Sequence, residues 1–382
     1  MLPAGIASVR RAAGVVLAVA AACAPACVLD LDGLEGGVSS TGHAGASSTG
    51  HGGAGTSTSS SSGSGGGSGG SPGCALFDCS CAAAPVVVAT GPTLANLPRG
   101  IALDADGLYW ASSQGGNVVR FAASASAPAS IVSASTPVGV AVAGSTLVWT
   151  ADDGVHACAL PACSDAHRLA KSAAVGSVQA VAFDGQALAF TDRGAGPGEG
   201  AAYACTLAGC TPLALDDGLV AAHAVAIHAG YAFWTDEGDG NMNGSVERSP
   251  TSTKDLQQLS ASLQLPAGVD ADDTYAYWTE HLPGGHVYRC AIADGYCDTP
   301  EDIAPAAGGL GSPGDIHVAE GRVYWTNDDD GSIRSCPQPG CGSAMPEVHV
   351  TGRQGLERFA VGSSCLFWTE DDGGGAVLKV AR

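Results

Sequence analysis

An aromatic tetrapeptide recurs down this chain at near-constant spacing, and a recurrence of that kind leaves few architectures open. Its copies are LYWA at Trp110, LVWT at Trp149, LAFT at Phe190, AFWT at Trp234, AYWT at Trp278, VYWT at Trp325 and LFWT at Trp368. Successive aromatic positions lie 39, 41, 44, 44, 47 and 43 residues apart. That is the period of a four-stranded propeller blade, a unit that cannot bury its own faces and must stack on neighbours. Six of the seven copies use a Trp, and the chain contains only 6 Trp. The recurrence is therefore primarily a packing device, with large aromatics filling the wedges between blades.

Each repeat reads alike. A strand of small residues comes first, as in Gly100-Ile101-Ala102-Leu103-Asp104 or Gly139-Val140-Ala141-Val142, and suits the crowded inner position beside a central channel. A turn such as Asp104-Ala105-Asp106-Gly107 comes next, then the aromatic strand and an acidic, Gly-rich loop. A third strand (Asn117 to Phe121, or His286 to Cys290) and a weaker fourth (Ser130 to Ser133, or Glu347 to Thr351) complete the unit. The last repeat stops after three strands, Arg358 to Val361, Cys365 to Thr369 and Ala376 to Val380. Pro85 to Thr90, ahead of the first complete repeat, supplies the missing fourth and closes the ring without exposed sheet edges. The expectation is an all-β, seven-bladed β-propeller over residues 74–382, and a monomer.

These repeats resemble the YWTD and NHL classes of β-propeller, and the chain as a whole resembles a bacterial propeller lipoprotein. The animal YWTD group has six blades and binds protein ligands. Here only Asp192 and Asp236 match the fourth motif position, where the other repeats are read as Ser112, Asp152, Glu280, Asn327 and Glu370. No ligand contact is carried over from that resemblance.

The first residues read as an export signal over 1–26. Arg10 and Arg11 precede an apolar run, Ala12 to Ala22, that is too short to span a bilayer. Cys27 follows Ala-Pro-Ala and Cys23 follows Ala-Ala-Ala, both resembling the lipobox of bacterial lipoproteins, in which the Cys is acylated. Cleavage before Cys27 leaves an even number of downstream cysteines and favours it over Cys23; an ordinary secretory signal is the other reading. Residues 27–73 read as a tether. From 36 to 73 they hold Gly, Ser, Thr, Ala and His with one Val, one Pro and no formal charge. Nothing there offsets the entropy of ordering a backbone.

The 14 cysteines fit export. Cys158/Cys163, Cys205/Cys210 and Cys336/Cys341 are C-x4-C pairs, and Cys290/Cys297 is a longer one, all just after a third strand. Disulfides across tight hairpins are expected. Zinc is the rival, with His156 or His167 as extra ligands, but two thiolates per blade make a poor site. Ring closure would let Cys79 or Cys81 bridge to Cys365.

The formal net charge is −21, from 37 acidic and 16 basic residues. Such a field repels phosphate backbones and anionic head groups, so nucleic acid is excluded as a partner and membrane contact is left to the lipid anchor. Basic partners and cations fit. The carboxylates concentrate after the aromatic strands, at Asp152-Asp153, Asp236-Glu237-Gly238-Asp239, Asp328-Asp329-Asp330 and Glu370-Asp371-Asp372. Solvated turns explain most of that enrichment. The calcium candidate is Asp239, Asn241 and Asn243, the start of a D-x-N-x-N-G loop, with Asp236 or Glu237 adding charge; Pro250 at the twelfth position excludes an EF-hand.

Arg99, Gln179, His223, Asp315 and Glu357 fall just before inner strands and would ring the channel mouth on the acidic face. Propeller enzymes such as lactonases and streptogramin lyases hold their active sites at that place, often with a metal. Two functions fit this pattern. One is a surface-anchored, non-catalytic propeller that binds or scaffolds an unknown protein or envelope component. The other is a metal-dependent hydrolase or lyase at the channel mouth, with His223 and Asp315 on the ion.

Overall fold

In the computed structural model the described residues are 76–77, 79, 84–172, 177–305, 310–338 and 340–382. The expected signal and tether, with Cys23 and Cys27, lie outside them, as do Cys74 and Cys81. The described chain forms seven four-stranded antiparallel sheets in sequence order. Blade 1 comprises Pro98–Leu103, Gly107–Ser112, Asn117–Ala122 and Ala129–Ser133. Blades 2, 3, 4 and 6 repeat that meander. Blade 7 orders Leu356–Val361, Cys365–Glu370 and Ala376–Ala381 and takes its outermost strand from Val86–Thr90, as the sequence implied. Blade 5 departs from the pattern. Its outer strand shrinks to Glu301–Asp302, and a small extra sheet pairs Pro283–Gly285 with Leu310–Gly311. The longest repeat spacing in the sequence falls there.

The tetrapeptide works because successive strand residues face opposite sides of a sheet. Each Trp, or Phe190, packs on the preceding blade, and the residue before it packs on the next one. Trp278 sits with Phe233 and Val246 of blade 4, while Tyr277 sits with Ile316 and Trp325 of blade 6. Seven buried apolar clusters result, one per blade seam. Truncating such a Trp to Ala should cost about 3–5 kcal/mol.

The Thr after the aromatic ties the inner strands together. Thr191 donates to the His223 carbonyl (2.6 Å), Thr235 to Ala267 (2.7 Å), Thr279 to Gly314 (2.6 Å) and Thr369 to Arg99 (2.9 Å), each acceptor lying in the next blade. Thr235, Thr279 and Thr369 also accept from their own inner strands, as in Gly268 N to Thr279 at 2.9 Å. Blade 1 carries Ala111 in place of that Thr. There the Gly100 amide donates straight to the Val138 carbonyl at 2.6 Å. A Cβ on Gly100 would stand 2.5 Å from that oxygen, so glycine permits the contact.

Two readings of the motif need correction. Counted from Trp149 as in the other repeats, the fourth motif position of the second repeat is Ala151, not Asp152. Asp152 lies one residue further on and accepts from the hydroxyls of Ser135 and Thr136. The acidic residues at this position are also not solvated: Asp192, Asp236 and Glu370 are buried. Asp236 accepts from the Val220 and Ala221 amides, and Glu370 takes a two-pronged contact from Arg353 (2.6 and 2.9 Å). They brace the connection into their own blade.

Among the described residues there are five disulfides, Cys79–Cys365, Cys158–Cys163, Cys205–Cys210, Cys290–Cys297 and Cys336–Cys341. The zinc alternative falls with them. His156 instead stacks on Trp149 and contacts Asp153, and His167 contacts the Asp165 carbonyl. The four hairpin bridges join third strands to the connections that leave them, at the end of the propeller opposite the acidic loops. The chain also enters the domain at that end. Phe77 packs edge-on against Phe367, and the Lys379 ammonium donates to the Leu76 carbonyl at 3.0 Å.

The two kinds of bridge should differ in weight. Cys79–Cys365 spans 286 residues and Cys158–Cys163 spans 5. The chain-entropy relation gives on the order of 5 kcal/mol for the first and about 2 kcal/mol for the second. Urea unfolding should therefore show a larger loss for Cys365→Ser than for Cys163→Ser, and deleting residues 74–95 should leave an aggregating chain. Equal losses would mean the ring closes without the bridge.

Glu247, buried at the seam of blades 3 and 4, yields a pH prediction. It accepts from Trp234 Nε1 (2.9 Å) and Ser245 Oγ (3.0 Å). Burial first, and Asp216 facing it second, push its carboxyl up from 4.5 to about 7. A carboxyl raised on folding favours the native state while protonated, so that stability is fully present below the unfolded pKa near 4.5 and is lost as pH rises through about 7. Glu247→Gln keeps the acceptor without the charge. Relative to wild type it should gain on the order of 3 kcal/mol between pH 5 and pH 8. Parallel denaturant curves for the two proteins at those pH values would refute this.

Candidate functional site

The inner strands enclose a central channel of about 530 Å³. Its wall divides into layers, counted in each blade from the inner-strand residue that pairs with the motif aromatic. These aromatic-paired residues are Ile101, Val140, Val181, Val225, Val269, Ile316 and Phe359. Two residues earlier comes the mouth on the acidic face, and there Arg99, Gln179, His223 and Glu357 share one layer, as expected. Asp315 does not join them. It precedes Ile316 directly and lies one layer deeper, leaving Gly314 at the mouth. Two residues later than the aromatic-paired layer the wall is apolar, with Leu103, Val142, Phe183, Ile227, Val318 and Val361 toward the disulfide end.

The intermediate layers carry the information that sequence reasoning missed. One residue before the aromatic-paired position, five blades have Gly100, Gly139, Ala180, Ala224 and Gly268. One residue after it, five have Ala102, Ala141, Ala182, Ala226 and Ala360. Small residues there let neighbouring strands approach closely: a Cβ on Gly268 would meet the Gly314 carbonyl at 2.6 Å. The exceptions are Asp315 and Arg358 in the first layer and Asp270 and His317 in the second. All four lie on blades 5 to 7, on one side of the channel. Aligning the repeats on the aromatic-paired residue would have exposed them.

They form one connected group. Arg358 Nη1 donates to Asp315 Oδ1 at 2.9 Å, and the Phe359 amide donates to Oδ2 at 3.2 Å. His317 Nε2 is 3.4 Å from Asp315 Oδ2, and its Nδ1 is 3.9 Å from Asp270 Oδ2. Asp270 accepts from the amides of Val318 (2.7 Å) and Ala271 (2.8 Å). These carboxylates thus bridge blades 5 to 6 and 6 to 7 as well as facing the channel. Burial alone would raise Asp315, but Arg358 and His317 beside it hold its carboxyl well below the usual range. Burial would lower His317, and Asp315 with Asp270 outweighs it, so the imidazole is raised.

At the mouth, Arg99 Nη1 lies 2.9 Å from Glu357 Oε2. Burial, then Asp371, lifts the Glu357 carboxyl to about 7. His223 is driven down to about 4 by burial and by the Arg358 charge. Its Nδ1 faces the Ala267 carbonyl at 3.3 Å and Glu237 Oε1 at 3.5 Å. Gln179 donates to the Ser177 carbonyl at 3.2 Å. His223 and Asp315 thus have different hydrogen-bonding partners, while the Arg358 charge acts on both. In the calcium candidate, Asn243 Oδ1 accepts from the Asp239 amide (2.9 Å) and Asp239 Oδ1 from the Asn241 amide (3.0 Å), so these oxygens close their own loop. Glu237, meanwhile, is held by Arg193. Among the described residues no group of three or more His, Cys, Asp or Glu side chains is arranged to hold a metal. Among them, too, no helix is long and apolar enough to cross a membrane.

No protein-family model and no curated protein matches the chain. Solved structures do. The WD40 β-propeller domain of Doa1 superposes with a TM-score of 0.61 at 10% identity, covering 78% of this chain and 98% of that one. Hydrazine synthase of Kuenenia stuttgartiensis gives 0.61 at 11% identity, covering 75% and 96%. A streptogramin B lyase gives 0.58 at 11% identity, covering 80% and 100%. At such identities the likeness shows the fold alone, and that fold is the β-propeller.

Proposed function

We propose that the chain is an exported, non-catalytic propeller, anchored to the cell envelope through Cys27 (or Cys23), that binds a basic protein partner on its acidic face. The observation that carries this reading is the opposition of the two ends. The chain enters the domain beside the Cys79–Cys365 bridge, at the end that holds the hairpin disulfides. The loops bearing Asp153, Asp239, Asp329 and Asp372, all solvent-exposed, lie at the other end. A tethered propeller would thus present its carboxylates away from its attachment. Five disulfides fit an oxidising compartment. A net charge of −21 favours basic partners through long-range attraction. A metal-dependent hydrolase or lyase is the alternative, and streptogramin B lyase shares the fold. It would require His223 and Asp315 on one ion, and no distance in the channel favours that pairing.

Two measurements test the proposal. A soluble 74–382 fragment, used as bait on envelope extracts with and without EDTA, should retain a basic protein whose binding weakens steeply with salt. The Asp239→Lys, Asp372→Lys double variant should lose it. Retention unaffected by salt and by the variant would place the partner elsewhere. Metabolic labelling with a fatty-acid analogue should tag the wild type and not Cys27→Ser, or not Cys23→Ser if that cysteine is the anchor. Label persisting in the double mutant, or absent from the wild type, would leave a plain secreted protein.

A further inference from the structure

On one side of the channel the carboxylates of the charged group are matched, but its hydrogen-bond donors are not. Both oxygens of Asp315 and both of Asp270 accept protein donors. Arg358 is different. A guanidinium carries five N–H donors, and among the described residues only its Nη1 has a protein acceptor. Asp315 is paired with Arg358 and Asp270 faces the His317 ring at 3.9 Å, so each carboxylate has a basic neighbour. The group therefore presents surplus N–H donors beside carboxylates that already have basic partners. Across from it the wall is apolar, and the polarity changes along the axis as well, from Arg358 near the mouth to Phe183 and Ile227 near the far end.

We infer that the channel is a binding site for a small uncharged molecule with a carbonyl acceptor at one end and an apolar body behind it. The carbonyl would accept from the open N–H groups of Arg358. The body would lie against Val181, Phe183, Val225 and Ile227. The volume of about 530 Å³ falls within the range of small-molecule sites. A ligand of either charge would add an ion to a group whose carboxylates and bases are already matched, and that ion would lack a partner of its own. A wholly apolar ligand would displace water from Arg358 and leave its donors unmet. This inference concerns the channel and stands apart from partner binding on the acidic face.

Calorimetric titration of the purified protein at pH 7 provides the test, with butanamide, hexanamide, octanamide, octanoate and octylamine as probes. Affinity in the amide series should rise about fourfold per added methylene. Octanoate and octylamine should bind at least tenfold more weakly than octanamide, the expected order for a site whose charges already have partners. Arg358→Lys keeps the charge opposite Asp315 while removing the planar donor fork. It should weaken octanamide about tenfold, the worth of one hydrogen bond to a charged donor, with the melting temperature little changed. Should that variant not fold, Ile227→Thr serves instead, and it should weaken octanamide and leave butanamide unaffected. The inference is overturned if octanamide does not bind at millimolar concentration, or if affinity is flat along the series. It is equally overturned if a charged probe binds as tightly, or if folded Arg358→Lys binds like wild type.

Discussion

The ring depends on a hydroxyl that belongs to two blades at once. Inner strands of a propeller have one edge paired within their own sheet and the other turned to the channel, so their outer-facing amides and carbonyls need partners from outside the ladder. The motif Thr supplies one by accepting from its own inner strand and donating to the next. Thr369 does this for Arg99 across the joint between the last blade and the first. The closing seam is thereby made by the same bond as the seams of blades 3 and 4, 4 and 5, and 5 and 6. Blade 1 shows the purpose of the hydroxyl: with Ala111 at that position, Gly100 brings the two backbones into direct contact.

Close approach of the inner strands in turn sets the composition of the channel. Glycine and alanine fill the two layers on either side of the aromatic-paired residue wherever strands meet tightly. A larger side chain is tolerated only if it replaces the lost contact. Asp270 and Asp315 do so by accepting backbone amides of the next blade, which makes them structural bridges as well as channel groups. The polar wall on blades 5 to 7 is thus compatible with the packing rule of the repeat, even though it breaks the repeat's composition.

The two ends of the molecule arise from strand direction. Loops after the aromatic strands and loops between blades share one end, and both kinds of hairpin share the other. Acidic residues gather at the first because they brace those loops as much as because they are soluble: Asp236 and Glu370 are buried and bonded, while Asp239 and Asp372 are exposed. Disulfides gather at the second, where short hairpins bring paired cysteines within bridging distance. The protein's polarity as a particle comes from this division.

Much was legible in the sequence. A spacing near 43 residues fixed the blade, seven aromatic strands fixed the number, and the orphan strand at 86–90 fixed the closure, because each is a one-dimensional pattern with a single low-cost solution in three dimensions. The hairpin cysteine pairs were equally plain, being local. Other features needed the fold. Cys79 could be chosen over Cys81 only once residue 365 was placed beside it. Asp315 looked like a mouth residue until Ile316 was seen to pair with Trp325. The grouping of Asp270, Asp315, His317 and Arg358 is tertiary in origin. Those residues are scattered over 89 positions of sequence, and only the curvature of the ring brings three successive inner strands around one side of a channel.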